Sequence, residues 1–396
     1  MSLRRVFTPA SPVEDPDLFQ GRQREVDRLT DALTVRGQHA IAFGERGVGK
    51  TSLANHVAMV FQDSAPDALS VRIPCSLDDT FETLWRKAPE RFRSQADVLD
   101  GLPDIELLQA RIDKIEDILL DDVTPESAVR CVRLLAQAHP LLIVIDEFDR
   151  IDTRESAAFA DTLKTLSDDL VDATIVLVGV ADNVDGLFAS HRSIERNLRQ
   201  VFVSRMSDAT VENIVTQGFA RFSSDTTYQL DLDPMVATGI ALLSQGLPYY
   251  AHLISASIGK AVIAQGGHRI DLNDLSEAVE KAVSDADQTT RSAYAEAVAA
   301  GRSDAKFDVT LLGCAEAEVD ELGFFSAAAV EAALVAHPQW EHSSSFRGHL
   351  AKFASEPPYV LESKGEKRWT RYRFSSPLMK PFVRMVGIRD GRLPPP

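Results

Sequence analysis

The clearest chemistry in this chain sits in nine consecutive residues, Gly44-Glu45-Arg46-Gly47-Val48-Gly49-Lys50-Thr51-Ser52. The first eight fit the G-x-x-x-x-G-K-[ST] pattern of a phosphate-binding loop. Glycines let the backbone wrap its N–H groups around a β-phosphate, and the positive end of the next helix adds to the attraction. Lys50 is expected to reach the β- and γ-phosphates as a point charge, and the Thr51 hydroxyl to bind Mg²⁺. Further along, the apolar run Leu141–Ile145 ends in Asp146 and Glu147. A central parallel strand is apolar on both faces, and ligands bind beyond its carboxyl end. Asp146 is therefore placed to hold Mg²⁺ and Glu147 to polarise an attacking water, so ATP as ligand and ADP as product are expected.

Those groups need elements to hold them. A short apolar run, Ala40–Phe43, precedes the loop, and Leu53, Val57, Val60 and Phe61 follow it at helical spacing. Val71–Cys75, Leu141–Ile145, Thr174–Val180 and Val201–Val203 are further strand candidates, with mostly helical segments between them, including an acidic insert from about Pro89 to Asp122. Strands alternating with helices predict an α/β fold with a parallel sheet. Residues 1–17, rich in Pro and Asp, read as an extended lead-in, and helical spacing starts near Arg22. From Asp208 to about Asp287 the strand signals stop and a small helical domain is expected. From about Thr289 come three short helices and a hairpin-like stretch, Tyr359–Ser375. The expected partition is 1–17, 18–207, 208–288 and 289–396.

Composition bounds the rest. At 396 residues, with 44% hydrophobic and 26% charged, the chain is an ordinary globular protein of two or three domains. No window approaches the roughly 18 uninterrupted apolar residues of a membrane span, and no apolar run follows Arg4 and Arg5 as in a secretory signal. Three cysteines, Cys75, Cys131 and Cys314, are too few and scattered for a disulfide framework or a zinc site. The expected setting is the reducing cytoplasm, with no membrane partner. The net charge of −17 argues against an all-over nucleic-acid coat. It is uneven, however: residues 343–396 carry 11 Lys and Arg against 4 Asp and Glu, a local +7, which leaves −24 for residues 1–342.

Over about residues 15–290 the chain resembles the AAA+ ATPases, in particular the origin-recognition/Cdc6-like branch and the related signal-transducing STAND ATPases. Leu18-Phe19-Gln20-Gly21-Arg22-Gln23-Arg24-Glu25 looks like the segment that contacts adenine in that branch, which makes Phe19 and Gly21 candidate base contacts. The strand Thr174–Val180 looks like sensor 1, with Asp182 or Asn183 at the polar position that meets the γ-phosphate or the lytic water. The resemblance also implies a trans-acting arginine just before the fifth strand; Arg196 is the first choice, with Arg192 and Arg199 behind it. At Gly246-Leu247-Pro248-Tyr249-Tyr250 the chain departs from replication-type members. Tyr249 stands where they carry the sensor-2 arginine, and the Gly-x-Pro resembles STAND proteins, in which the proline (here Pro248) packs near the base. Slow turnover or a switch-like bound nucleotide follows.

The carboxyl-terminal pattern resembles a winged helix. Its third helix would present Arg347 and Lys352, and its wing Lys367, Arg368, Arg371 and Arg373, to double-stranded DNA. The expected activity is that of an ATP- and Mg²⁺-dependent AAA+/STAND-type ATPase, self-associating through the ATPase domain and regulating assembly on DNA. The alternative is a signalling or interaction scaffold, such as a prokaryotic defence or transposition regulator, with ATP as a slow switch and the winged helix on a protein effector. Replication initiation itself is disfavoured by Tyr249 and by the acidic insert.

Overall fold

The computed structural model describes residues 3–13, 15–98, 105–181, 196–299, 306–320, 322–337, 340, 344–365 and 369–394. The chain divides into two compact units: residues 12–45 with 49–204, and residues 1–11 and 46–48 with 205–396. The first helix, α1 (Leu3–Val6), belongs to the latter unit.

The unit built on residues 12–45 and 49–204 is a three-layer α/β structure. In chain order it holds α2 (Gln23–Thr34), β1 (His39–Gly44), α3 (Lys50–Ser64), β2 (Leu69–Pro74), α4 (Phe81–Val98), α5 (Ile105–Ile118), α6 (Pro125–Ala136), β3 (Leu141–Asp146), α7 (Ser156–Asp168), β4 (Ala173–Val180) and β5 (Leu198–Phe202). The five strands form one parallel sheet in the order β2-β3-β4-β1-β5. Every residue of β1 and β3 is buried, as their unbroken apolar runs require of strands covered on both faces. The acidic insert contributes to the core: Phe92 of α4 and Leu108, Ile112 and Ile115 of α5 are buried in the same cluster as the strands of the sheet. Buried His39 ties layers together: its Nδ1 accepts from the Ile175 N–H at 3.0 Å, and Nε2 lies 3.2 Å from the Leu163 carbonyl of α7. Burial lowers its pKa to about 4.

The other unit continues with α8 (Asp208–Asp225), β6 (Asp231–Leu232), α9 (Pro234–Ser244), α10 (Pro248–Ala264), β7 (Arg269–Ile270), α11 (Leu272–Asp285), α12 (Gln288–Ala299), α13 (Phe307–Glu316), β8 (Phe325–Ser326), α14 (Ala327–Ala336), α15 (Phe346–Ser355), β9 (Leu361–Lys364), β10 (Arg371–Phe374) and α16 (Met379–Arg389). Helices α13 to α15 with the antiparallel sheet β8-β10-β9 make a winged helix. Side chains of α16, unforeseen from sequence, lie inside this unit, and the Tyr250 hydroxyl of α10 donates to the Leu378 carbonyl at 2.8 Å. The start of the chain also differs from an extended lead-in. Residues 3–6 form a helical turn, and Leu3, Val6 and Phe7 are buried.

Candidate functional site

The sheet order brings the carboxyl ends of β1, β4 and β3 side by side, the crevice in which open α/β sheets hold ligands. At the end of β1 the loop turns on Gly44 (φ 152°), Gly47 (φ 85°) and Gly49 (φ 96°), conformations that a side chain resists. Gly44 also has a packing reason, since a Cβ there would stand 2.3 Å from the Val203 carbonyl oxygen. Gly49 caps α3, whose first residues, Lys50, Thr51 and Ser52, lie on the helix that follows the loop. Lys50 is buried, and its Nζ donates to the carbonyls of Gly44 (3.1 Å) and Glu45 (2.7 Å). The lysine thus folds back on its own loop. Ser52 accepts the Val13 N–H at 3.2 Å, which fastens the lead-in to α3.

Asp146, at the end of β3, is 3% exposed. Its Oδ1 accepts from the Thr51 hydroxyl at 3.3 Å and from the Glu147 N–H at 2.9 Å. Oδ2 accepts from Arg72 of β2 at 3.2 Å. Glu147 takes left-handed backbone angles (φ 57°) at the strand end, with its half-exposed carboxylate 3.0 Å from Arg150. Thr51 and Asp146 therefore meet, and Glu147 stands beside them. Arg72 joins them unforeseen, since a lone arginine in a strand gives no sequence signal. A second unforeseen group is Asp149, whose Oδ1 accepts the Val180 N–H at 2.7 Å and so pins the end of β4. Asp182, Asn183 and Arg192 lie outside the described residues. Arg196 is exposed, and Arg199 lies 4.0 Å from Asp31.

Phe19 is stacked on His56 of α3, ring centroids 4.3 Å apart and planes 14° from parallel. Gly21 (φ 74°) turns the chain into α2. Its neighbour Arg22 is buried, pairs with Glu25 at 2.9 Å, and donates to the Ser204 carbonyl at 2.5 Å. The spacing of Arg22 and Glu25 thus has a local structural cause, an ion pair one helical turn apart. Pro248 occupies the first turn of α10. Gly246 (φ 74°) approaches the backbone too closely for a side chain, its Cβ position being 2.5 Å from the Met206 carbonyl oxygen. Tyr249 is half-buried, and burial raises its pKa.

In the winged helix the basic residues proposed for DNA are committed locally. Arg347 pairs with Glu331 (2.6 Å), Lys352 with Glu356 (3.6 Å), Arg371 with Asp320 (2.8 Å), and Arg373 with Glu362. Arg373 also lies over the Phe324 ring, and Lys352 over Phe307. Lys367 and Arg368 lie outside the described residues. Trp369, beside them at the hairpin tip, is 73% exposed. Among the described residues no group of three His, Cys, Asp or Glu could hold a metal ion, and no helix is long and apolar enough to cross a membrane.

Residues 18–178 match the family described as an AAA ATPase domain. No match was found among curated proteins. Among solved structures, the chain is similar to the Walker-type ATPase of Pyrococcus abyssi (15% identity, TM-score 0.56, covering 96% of this chain and 99% of that one). It is similar to the Aeropyrum pernix ORC2 protein, solved with ADPNP and ADP (15%, 0.53, 98% of each chain). A third is the Aeropyrum pernix ORC1 protein in complex with DNA (15%, 0.52, 98% of this chain and 97% of that one). The chain therefore shares the P-loop ATPase fold of these structures.

Proposed function

We propose that this chain, whose residues 18–178 form an AAA ATPase domain, binds ATP with Mg²⁺ at its phosphate loop, hydrolyses it slowly, and uses the nucleotide to switch an assembly. The observation that carries this reading is the 3.3 Å meeting of Thr51 and Asp146, 95 residues apart in sequence. A hydroxyl and a carboxylate are hard oxygen donors that suit Mg²⁺. Thr51 and Asp146 would hold the ion, which when bound neutralises charge on the β- and γ-phosphate oxygens. The loop backbone from Glu45 to Lys50 cradles the phosphates, and Lys50 exchanges its two carbonyl partners for them. Glu147 orients the attacking water and takes up its proton. Tyr249, at the position where the resemblance implies a sensor-2 arginine, carries no positive charge, which supports slow turnover. Phe19 and Pro248 are assigned to the base, Asp182 or Asn183 to the γ-phosphate, and Arg196 to a neighbouring copy's site. The assigned partition is 18–207 for the ATPase domain, 208–288 for a lid and 289–396 for the winged helix.

The shared fold with a protein solved on DNA supports duplex DNA as the partner of the winged helix. The ion pairs of Arg347, Lys352, Arg371 and Arg373 favour a second reading, in which that module docks on a protein effector. ATPase assays with and without duplex DNA separate the two. Stimulation by DNA supports the first, and stimulation only by a protein partner supports the second. Mass measurement with ATP and with ADP tests Arg196, since a trans-acting arginine requires an ATP-dependent oligomer. A chain that binds no ATP would remove both readings.

A further inference from the structure

Residues 4–11 and the helices α10 and α11, all within one unit, line a cavity of about 370 Å³. Its N-terminal wall is firmly held. Leu3, Val6 and Phe7 are buried, and they fit because residues 218 and 259 lack side chains. A Cβ on Gly218 would lie 2.5 Å from the Phe7 ring, and one on Gly259 2.8 Å from the Leu3 side chain. The Thr8 N–H donates to His252 Nδ1 at 3.1 Å, fixing the chain as it leaves the turn.

Three elements each contribute a cation to the lining: Arg4 from α1, Lys260 from α10 and Lys281 from α11. Among the described residues none of the three has a carboxylate within salt-bridge distance. Arg221, Arg384 and Arg392 of the same unit, by contrast, are paired with Asp225, Glu316 and Asp308. Asp285 is the one acidic residue of the lining, so positive charge is in excess. Two hydroxyls add to this. Ser257, 6% exposed on α10, has its Oγ buried without a hydrogen-bond partner, and so does Thr8 its Oγ1. Both atoms are closed to solvent as they stand, so each would meet an acceptor in the cavity through a change of rotamer.

Unpaired cations and unbonded hydroxyls gathered around one recess are the donor set that a phosphoryl group satisfies. We propose that this cavity binds a small phosphorylated ligand. Its phosphate lies among Arg4, Lys260 and Lys281, the hydroxyls of Ser257 and Thr8 donate to it, and its organic part rests on Phe7 and Leu253. The volume exceeds what a free phosphate fills and falls in the range of small-molecule sites. Apolar walls beside the cations favour a compact ester over a nucleic-acid strand.

The test is run on the Lys50→Ala chain, so that the phosphate loop does not contribute. Ribose 5-phosphate is titrated calorimetrically, with citrate and a duplex DNA as separate arms. Saturable binding of the ester is expected. Adding Lys260→Ala with Lys281→Ala should weaken it at least about tenfold, and Ser257→Ala several-fold, with circular dichroism unchanged and no fall in melting temperature. The proposal is overturned by no saturable binding up to about 10 mM, or by equal affinity in the double-alanine chain. Preference for citrate or for DNA over the ester overturns it as well.

Discussion

At the scale of single residues, the site is organised around one carboxylate. Asp146 receives Thr51, Arg72 and its neighbour's N–H at once, so changes to these groups have separable effects. Lys50→Ala should lower ATP affinity by at least about 100-fold, read by calorimetry, because it removes the buried cation held at the phosphate loop. Glu147→Gln should keep that affinity but reduce turnover by about 100-fold or more, as expected when a group acting on the lytic water is neutralised. Wild-type turnover in that variant would refute the role given to Glu147. Arg72→Ala removes a cation that competes for the Asp146 carboxylate, so half-saturation by Mg²⁺ in nucleotide binding should fall a few-fold; a rise would mean that Arg72 orients the carboxylate instead. The loop and Asp146–Glu147 were legible because their spacing is local. Arg72 was not, because it reaches Asp146 only through the β2–β3 register, in which Pro74, not Arg72, stands opposite Asp146.

Among the elements, β1, β3 and β4 could be read as apolar runs because burial on both faces leaves a nearly unbroken pattern, whereas β2 and β5, interrupted by Arg72 and by Arg199 and Gln200, were legible only in part, as Val71–Cys75 and Val201–Val203. The two-residue strands β6, β7 and β8 and the one-turn α1 were invisible, since pieces that short have no period to detect. Helix α16 was missed for another reason: Pro381 and Gly387 interrupt its pattern, and tertiary packing makes the helix regardless. The packing of the end of β1 on the residue after β5 offers a sharp test. Gly44→Ala places a methyl against the Val203 carbonyl at a strained φ, and should cost roughly 2–5 kcal/mol in urea unfolding. His39 ties β1 to β4 and α7 as a neutral ring, with Nδ1 already accepting an N–H. Its folded pKa of about 4 lies below the 6.5 of a free histidine, so the unfolded chain takes up the proton first as pH falls. Its stabilisation is whole above pH 6.5 and is lost as pH falls towards 4, by at most roughly 3 kcal/mol. Urea midpoints across that window should show the decline, and a His39→Gln chain should show less of it.

Across the whole molecule the charge pattern changes meaning once the fold is known. The +7 of residues 343–396 sits against helices whose carboxylates the count left out, and residues 289–396 together carry 14 basic and 13 acidic side chains, a net of +1. Asp308, Glu316, Asp320 and Glu331 supply four of the partners. Arg389 pairs with Asp390 as a seventh; if these seven cations stay paired, at most four of the eleven remain for phosphates, and the slope of log K on log salt should be no steeper than about −4. A steeper slope would mean that DNA breaks these pairs. The N-terminal turn has a consequence of its own. Arg4 and Arg5 are exposed, yet the residues around them are wedged beside Gly218 and Gly259. A protease needs several residues of extended chain, so trypsin should clip after these arginines only when the turn lifts away. The rate of that cut is a clock for undocking: Gly218→Ala should speed it, and any ligand that fills the adjoining cavity should slow it.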